Sequence, residues 1–194
     1  HQAAYTMVEG ELKEIANDAE RIFEEQDAFS DRLKNLRIDE NNASDTLKQL
    51  TATLRETERR LHKANIPGIP DDIESRLSEA DEQLFVANQK LKAVPLDMPE
   101  VFEAVKTAEL AVTETTKHVD SMIEDVKLVE LLIQYGNRYR TTKPGMNDSL
   151  VEAEDAFNNM RYSKALEIVA KAVEKAEPGA LKKMEELVDE VLSK

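Results

Sequence analysis

Three long stretches of this chain place an apolar residue at every third and fourth position in strict alternation. The first reads Tyr5, Val8, Leu12, Ile15, Ala19, Ile22, Phe29, Leu33, Leu36, Ala43, Leu47, Leu50, Leu54 and Leu61, interrupted only at Gln26, Glu40 and Thr57. The second reads Ile73, Leu77, Ala80, Leu84, Ala87, Leu91 and Val94. The third runs Val101, Val105, Ala108, Val112, Thr115, Val119, Met122, Val126, Val129, Ile133 and Gly136. An average step of about 3.5 residues is the heptad seam of a coiled coil or a long helical bundle. The fold class is therefore all-α.

Gly and Pro mark where the helices stop. The chain has 5 Gly and 6 Pro, and all but Gly10 and Gly136 fall in four short segments: 67–70, 95–99, 144–145 and 178–179. Proline removes a helical donor and clashes with the preceding turn, so each segment ends one helix and lets another begin. Asp71 with Glu74, Asp97 with Glu100 and Ser149 with Glu152 have capping-box spacing. The expected helices are 3–65, 71–94, 98–141, 148–160, 162–176 and 178–193. The seam keeps its phase through Asn41-Asn42, which favours one unbroken first helix.

Lengths then constrain the architecture. At about 1.5 Å per residue the first three helices measure roughly 90, 35 and 65 Å. The second can fold back along only the last third of the first, and the third, running forward again, overshoots by about 20 residues. The expected fold is an elongated antiparallel three-helix bundle, a spectrin-like repeat with long shared helices over 1–119. A C-terminal helical bundle over 120–194 shares the helix 98–141. The first third of helix one keeps an apolar stripe with no partner, to be covered by a preceding repeat or by another copy of the chain. The start, His1-Gln2-Ala3, lacks an initiator Met and reads as the edge of a fragment.

Composition removes several function classes. With 26 Lys and Arg against 40 Asp and Glu, the net charge is -14. That excess repels nucleic acid and anionic membranes. There is no Cys, hence no thiol nucleophile or thiolate metal site. His1, His62 and His118 are far apart in sequence, and no Gly-rich phosphate loop or EF-hand loop occurs. The expectation is a protein with no enzyme activity, no cofactor and no metal. Ala156, Tyr162, Ala165, Ala172 and Pro178 resemble one tetratricopeptide hairpin, out of register on its N-terminal side; small-residue helix packing accounts for them better.

One segment stands apart from this acidic background. Residues 131–147 contain no acid, and they carry Arg138, Arg140 and Lys143 together with Tyr135 and Tyr139. Gly136 takes a seam position, where glycine costs about 1 kcal/mol against alanine unless another chain segment comes close. Two readings of the segment stand side by side. Cations and tyrosines can simply finish a helix end. Alternatively, Tyr and Arg anchor an interface. On a helix, Gln134 shares a face with Asn137 and Arg138, and two amides and a guanidinium suit a partner's backbone or carboxylates.

Several stretches carry a family resemblance: Leu132-Ile-Gln-Tyr-Gly-Asn-Arg-Tyr-Arg140, Glu152-Ala-Glu154, Tyr162 with Ala165-Leu166-Glu167, and Val173-Glu174-Lys175-Ala176-Glu177-Pro178-Gly179-Ala180. Together they resemble the C-terminal end of the septation ring formation regulators of the EzrA family, from Gram-positive bacteria of low G+C content. The resemblance implies a membrane anchor, absent from this chain, followed by a cytoplasmic array of spectrin-like repeats at the division septum. It implies as partners the tubulin-like protein FtsZ and other division proteins, with restraint of FtsZ ring formation as the role. The family's septum-placing patch maps onto Gln134, Asn137 and Arg138, with Tyr135, Tyr139 and Arg140 completing the segment. The competing expectation is a purely structural spacer in which the patch binds nothing.

Overall fold

The computed structural model describes residues 1–194 as six α-helices: α1 Gln2–Lys63, α2 Asp71–Lys92, α3 Met98–Gly136, α4 Met146–Asn158, α5 Tyr162–Ala176 and α6 Ala180–Leu192. A single 3-10 turn, Asn137–Tyr139, follows α3. α1 is unbroken at Asn41-Asn42. The heptad phase continues through those residues, so the next turn's apolar contacts outweigh the weak helix propensity of two asparagines.

Packing follows the lengths. α2 returns along the last third of α1, and α3 runs forward beside both. Ala43 packs with Met98 and Val101 at one end. Leu47, Leu54, Ala80, Leu84, Ala87, Ala108 and Val112 fill the middle. Leu61, Ile73, Val119, Met122, Ile123 and Val126 close the other end. Beyond Val126, α3 has outrun α1, and Leu128, Val129 and Leu132 join residues of α4, α5 and α6 in a 13-residue core. α3 thus belongs to both halves of the molecule. Residues 1–38 are all exposed, Leu12 at 60% and Ile15 at 63% among them.

Thr57, an interruption of the seam, is fully buried yet satisfied. Its hydroxyl donates to the Thr53 carbonyl at 2.9 Å and lies 2.8 Å from the Thr116 hydroxyl of α3. The end of α1 is tied across the bundle: Arg60 binds both Asp120 oxygens at 3.1 and 3.2 Å. Lys127 donates to the Ala64 carbonyl at 2.9 Å, filling an acceptor that the helix end leaves open.

The two halves are latched by one hydroxyl. Gly68 N–H, in the α1–α2 loop, donates to the Tyr162 oxygen at 3.1 Å, and that hydroxyl donates to the Gly68 carbonyl at 2.5 Å. The Tyr162 ring meets Phe157 edge-on at 5.3 Å. Burial pushes its phenol pKa up. Tyr162→Phe keeps the packing and leaves both Gly68 groups without that partner. A loss of about 1–2 kcal/mol is expected in urea unfolding, and an unchanged midpoint would show the latch to be energetically idle.

Eight helix ends lie one to five residues from expectation, and three local differences have a clear physical cause. α3 stops at Gly136 rather than 141, because residues 137–143 tighten into i→i+3 and i→i+4 turns that fold the chain back: Arg140 N–H to Asn137 O at 3.2 Å and Lys143 N–H to Tyr139 O at 3.0 Å. α4 starts at Met146 because Gly145, at φ 78°, makes the left-handed turn into it, so Ser149 lies inside the helix and caps nothing. At α2 the cap position is Pro70, and Asp71, Asp72 and Glu74 instead stand in the first turn, where the helix dipole favours them. Asp97 does cap α3, accepting from Glu100 N–H at 3.2 Å, but the Glu100 carboxylate turns to Lys90 at 3.3 Å instead of reaching back.

Candidate functional site

The acid-free segment sits where α3 has run past the three-helix bundle and abuts α4 and α5. Gly136 explains its own presence there. A Cβ at that position would stand 3.1 Å from Leu150 Cδ2 and 3.3 Å from Val173 Cγ2. The glycine therefore lets α4 and α5 come close, and the residues on the opposite side of α3 face outward.

The six candidate residues divide into two groups. Gln134, Asn137 and Arg138 are exposed, whereas Tyr135, Tyr139 and Arg140 are half-buried and engaged within the chain. Tyr135 donates its hydroxyl to the Glu177 carboxylate, and Tyr139 lies 6.4 Å away, ring to ring. The Arg138 guanidinium is stacked over the Tyr135 ring, 3.9 Å from its centre. The expected helical face shared by Gln134, Asn137 and Arg138 is modified here. In a 3-10 turn, side chains three apart nearly eclipse, and Arg138 is drawn onto Tyr135. Arg140 is a clasp. It donates to Asn147 Oδ1 at 2.8 Å and to Asn137 Oδ1 at 2.9 Å, and it pairs with Glu154 Oε1 at 3.1 Å.

Glu177, Asn147 and Glu154 were not among the sequence candidates. Glu177 and Glu154 do lie in the motifs that carried the resemblance, but their link to 134–140 spans up to 42 residues and no local pattern encodes it. The Tyr135 hydroxyl bond holds the Glu177 carboxyl below the ordinary range, with smaller help from Tyr139, Lys183 and Arg138. The same bond raises the Tyr135 phenol. Next to it, Glu174 receives Gly179 N–H at 2.7 Å and Leu181 N–H at 3.0 Å, which lowers its pKa and pins the Pro178-Gly179 turn.

Both carboxylates have folded pKa values below their unfolded ones. Their contribution is present above an ordinary value of 4.5 and is lost as the pH falls through the folded value. Exchange of the Gly179 and Leu181 amides, corrected for intrinsic rates, is expected to accelerate below that pH. Glu174→Ala, which removes both acceptors, should show the fast exchange already at neutral pH. Equal protection at all pH values would refute the assignment.

Elsewhere, a cleft of about 510 Å³ lies between α3, the start of α2 and the start of α5. Asp72 and Asp125 there oppose Arg161 and Lys164, so its charge does not converge on one ligand type. Burial, with Glu124 nearby, raises the Asp125 pKa. His118 Nδ1 sits 2.7 Å from the Glu114 carbonyl, its own helix backbone. No group of three or more His, Cys, Asp or Glu could hold a metal ion, and no helix is long and apolar enough to cross a membrane.

Comparison with known proteins adds an independent finding. Residues 1–188 match a family model described as "Septation ring formation regulator, EzrA". The septation ring formation regulator EzrA of Bacillus licheniformis is 38% identical over 182 residues, covering 94% of this chain and 32% of that protein. Its counterpart in Bacillus pumilus is 35% identical over 181 residues, covering 93% and 32%. That of Listeria innocua is 36% identical over 193 residues, covering 99% and 34%. The chain thus spans about a third of the length of these relatives. No solved structure matches it.

Proposed function

The chain belongs to the EzrA family of septation ring formation regulators, and from that premise we propose that it is part of a non-enzymatic helical adaptor of cell division. Its 134–140 segment is the surface that places the protein at the septum. Within it, Gln134, Asn137 and Arg138 make the contact, and Tyr135, Tyr139 and Arg140 hold them. The observation that carries this reading is the state of Arg138. It is stacked over Tyr135 in an acid-free stretch and forms no ion pair or hydrogen bond within its own chain, although its charge is felt by Glu177. A guanidinium fixed in direction with its N–H donors unpaired suits recognition of another molecule.

The finer parts of the proposal follow the family. The adaptor consists of spectrin-like repeats, here 1–119 with the bundle 120–194, attached to the cytoplasmic face of the membrane through an anchor outside this chain. FtsZ is its partner, and it limits FtsZ ring formation. Purified chain added to FtsZ filaments is expected to pellet with them and to lower their light scattering. Neither effect at low salt, with the full-length anchored protein active in parallel, would remove FtsZ as a partner of this portion.

The exposed stripe from Tyr5 to Leu36 is an interface, because a run of large apolar side chains in water is a strong drive for association. A preceding repeat covers it in the longer protein, or a second copy does. Sedimentation of the isolated chain separates the two. A concentration-dependent dimer lost in Leu12→Glu with Leu33→Glu means self-pairing, and a monomer at all concentrations means the repeat.

A structural-spacer reading draws on Arg140, whose three in-chain contacts tie the 3-10 turn to α4. It differs from the adaptor reading in what Arg138 substitution does.

A further inference from the structure

We infer that Asn137 and Arg138 present hydrogen-bond donors only, that Arg140 and Glu177 are the positioning residues that make them do so, and that the surface fits a carboxylate-bearing segment of a protein partner. The inference rests on the septum-placing role proposed for this patch and specifies its chemistry.

The orientation of Asn137 follows from what arginine can do. A guanidinium has five N–H donors and no acceptor, so the Asn137 atom 2.9 Å from Arg140 must be the carbonyl oxygen. The amide's oxygen is thereby used inside the chain, and its NH2 group is left for solvent or a partner. Arg140 cannot drift, because Asn147 and Glu154 of α4 hold it from the other side. Without this clasp the Asn137 amide could turn either end outward and would discriminate nothing.

Glu177 does the equivalent for Arg138. It receives the Tyr135 hydroxyl and so fixes the ring on which the guanidinium lies. Stacking uses the face of the guanidinium and leaves its N–H edge unspent. No acid lies in 131–147, and Glu177, which feels the Arg138 charge, is held by the Tyr135 hydroxyl and forms no ion pair with that guanidinium. Two adjacent residues therefore offer an amide NH2 and a guanidinium edge, with Gln134 exposed beside them. Carboxylates are the complementary groups, and a guanidinium edge meets one in two parallel bonds. Phosphate polymers and anionic lipids also offer acceptors, but the net charge of -14 on the chain repels an extended anionic surface while tolerating one carboxylate-bearing loop or helix.

The test places single changes in the chromosomal copy of a fluorescently tagged, full-length protein and reads the ratio of septal to lateral-wall fluorescence. Melting of the purified chain is measured alongside. Asn137→Asp keeps the acceptor that Arg140 needs, and with it the fold, while replacing two donors by a negative charge. Gln134→Glu makes a similar exchange at a side chain with no in-chain partner. Both are expected to drop septal fluorescence to the lateral-wall level. Glu177→Gln can still accept the Tyr135 hydroxyl and should keep septal placement. Glu177→Leu cannot and should lose it, although both proteins remain folded at the growth temperature.

If Asn137→Asp and Gln134→Glu stay septal while Arg138→Glu does not, the donor-only chemistry is overturned and the patch survives. If Arg138→Glu itself stays septal, the patch reading falls, and this inference with it. If the purified chain floats with phosphatidylglycerol vesicles at low salt and Arg138→Glu abolishes flotation, the partner is a lipid surface and the inference of a protein carboxylate is wrong.

Discussion

Arg138→Glu combined with Gln134→Ala is expected to abolish septal enrichment while the protein keeps its helicity. The energies of folding and of binding are separable at this site. Arg138 is exposed and stacks on the Tyr135 ring, a cation–π interaction worth about 0.5–1 kcal/mol at such a site, and its charge reaches Glu177 only weakly across solvent. A new acid near the end of α3 adds a few tenths of a kcal/mol through the helix dipole. Together these lower the melting temperature by a few degrees at most, and the far-ultraviolet circular dichroism should not change. A central Arg of an interface, in contrast, is worth about 2 kcal/mol or more, and reversing its charge adds repulsion to that loss. Binding should fall by well over tenfold. Retained septal fluorescence in the double variant, with its stability lowered by about 1 kcal/mol or more, would instead make the segment a structural junction.

Gly136→Leu is the substitution expected to harm the fold most. Leu150 Cδ2 and Val173 Cγ2 already stand 3.1 and 3.3 Å from where a Cβ would be, and the remaining three carbons of leucine have nowhere to go. Leu150 and Val173 are both fully buried in the 13-residue core and cannot swing into solvent as a surface side chain could. Overpacking of this kind costs about 3 kcal/mol, the upper end of its usual range. Gly136→Ala makes a useful contrast. The gain of about 1 kcal/mol in helix propensity opposes a shift of a few tenths of an ångström in two neighbours, so its midpoint should move little. Urea unfolding measures both, and hydrogen exchange should show protection lost first in α4 and α5. A leucine variant as stable as the parent would mean that α4 and α5 do not depend on their close approach to α3.

These two expectations rest on information of different origin. The seam position of Gly136 and the acid-free run around it are visible in the residue order, since heptad phase and local charge are local properties. Why the glycine is needed is not. That reason lies in Leu150 and Val173, which reach it only once α4 and α5 have docked. The candidate patch shows the same division. Gln134, Asn137 and Arg138 are legible as a cluster with Arg140 completing the segment, but that Arg140 holds Asn137 from behind is visible only in the fold. Glu177 could not have been added from spacing, because an interaction 42 residues long is encoded by the packing of three helices and by no local pattern. α3 ends five residues short of the expected 141 for a related reason. Helix propensity and the first proline set the outer limit, whereas the tightening at Asn137–Tyr139 comes from folding the chain back toward α4.

The sequence by itself determined six helices, the unbroken first helix, the fold-back along its last third and the overshoot of α3. All of these follow from apolar period, Pro and Gly punctuation and length, which act over a few residues or add up along a rod. Only the tertiary structure decided which side chains of the patch face outward and which are spent inside, which residues of α4 and α5 position them, and that one tyrosine hydroxyl latches the two halves together. Those outcomes depend on distances between segments far apart in the chain, and such distances exist only after the apolar faces have been buried against each other.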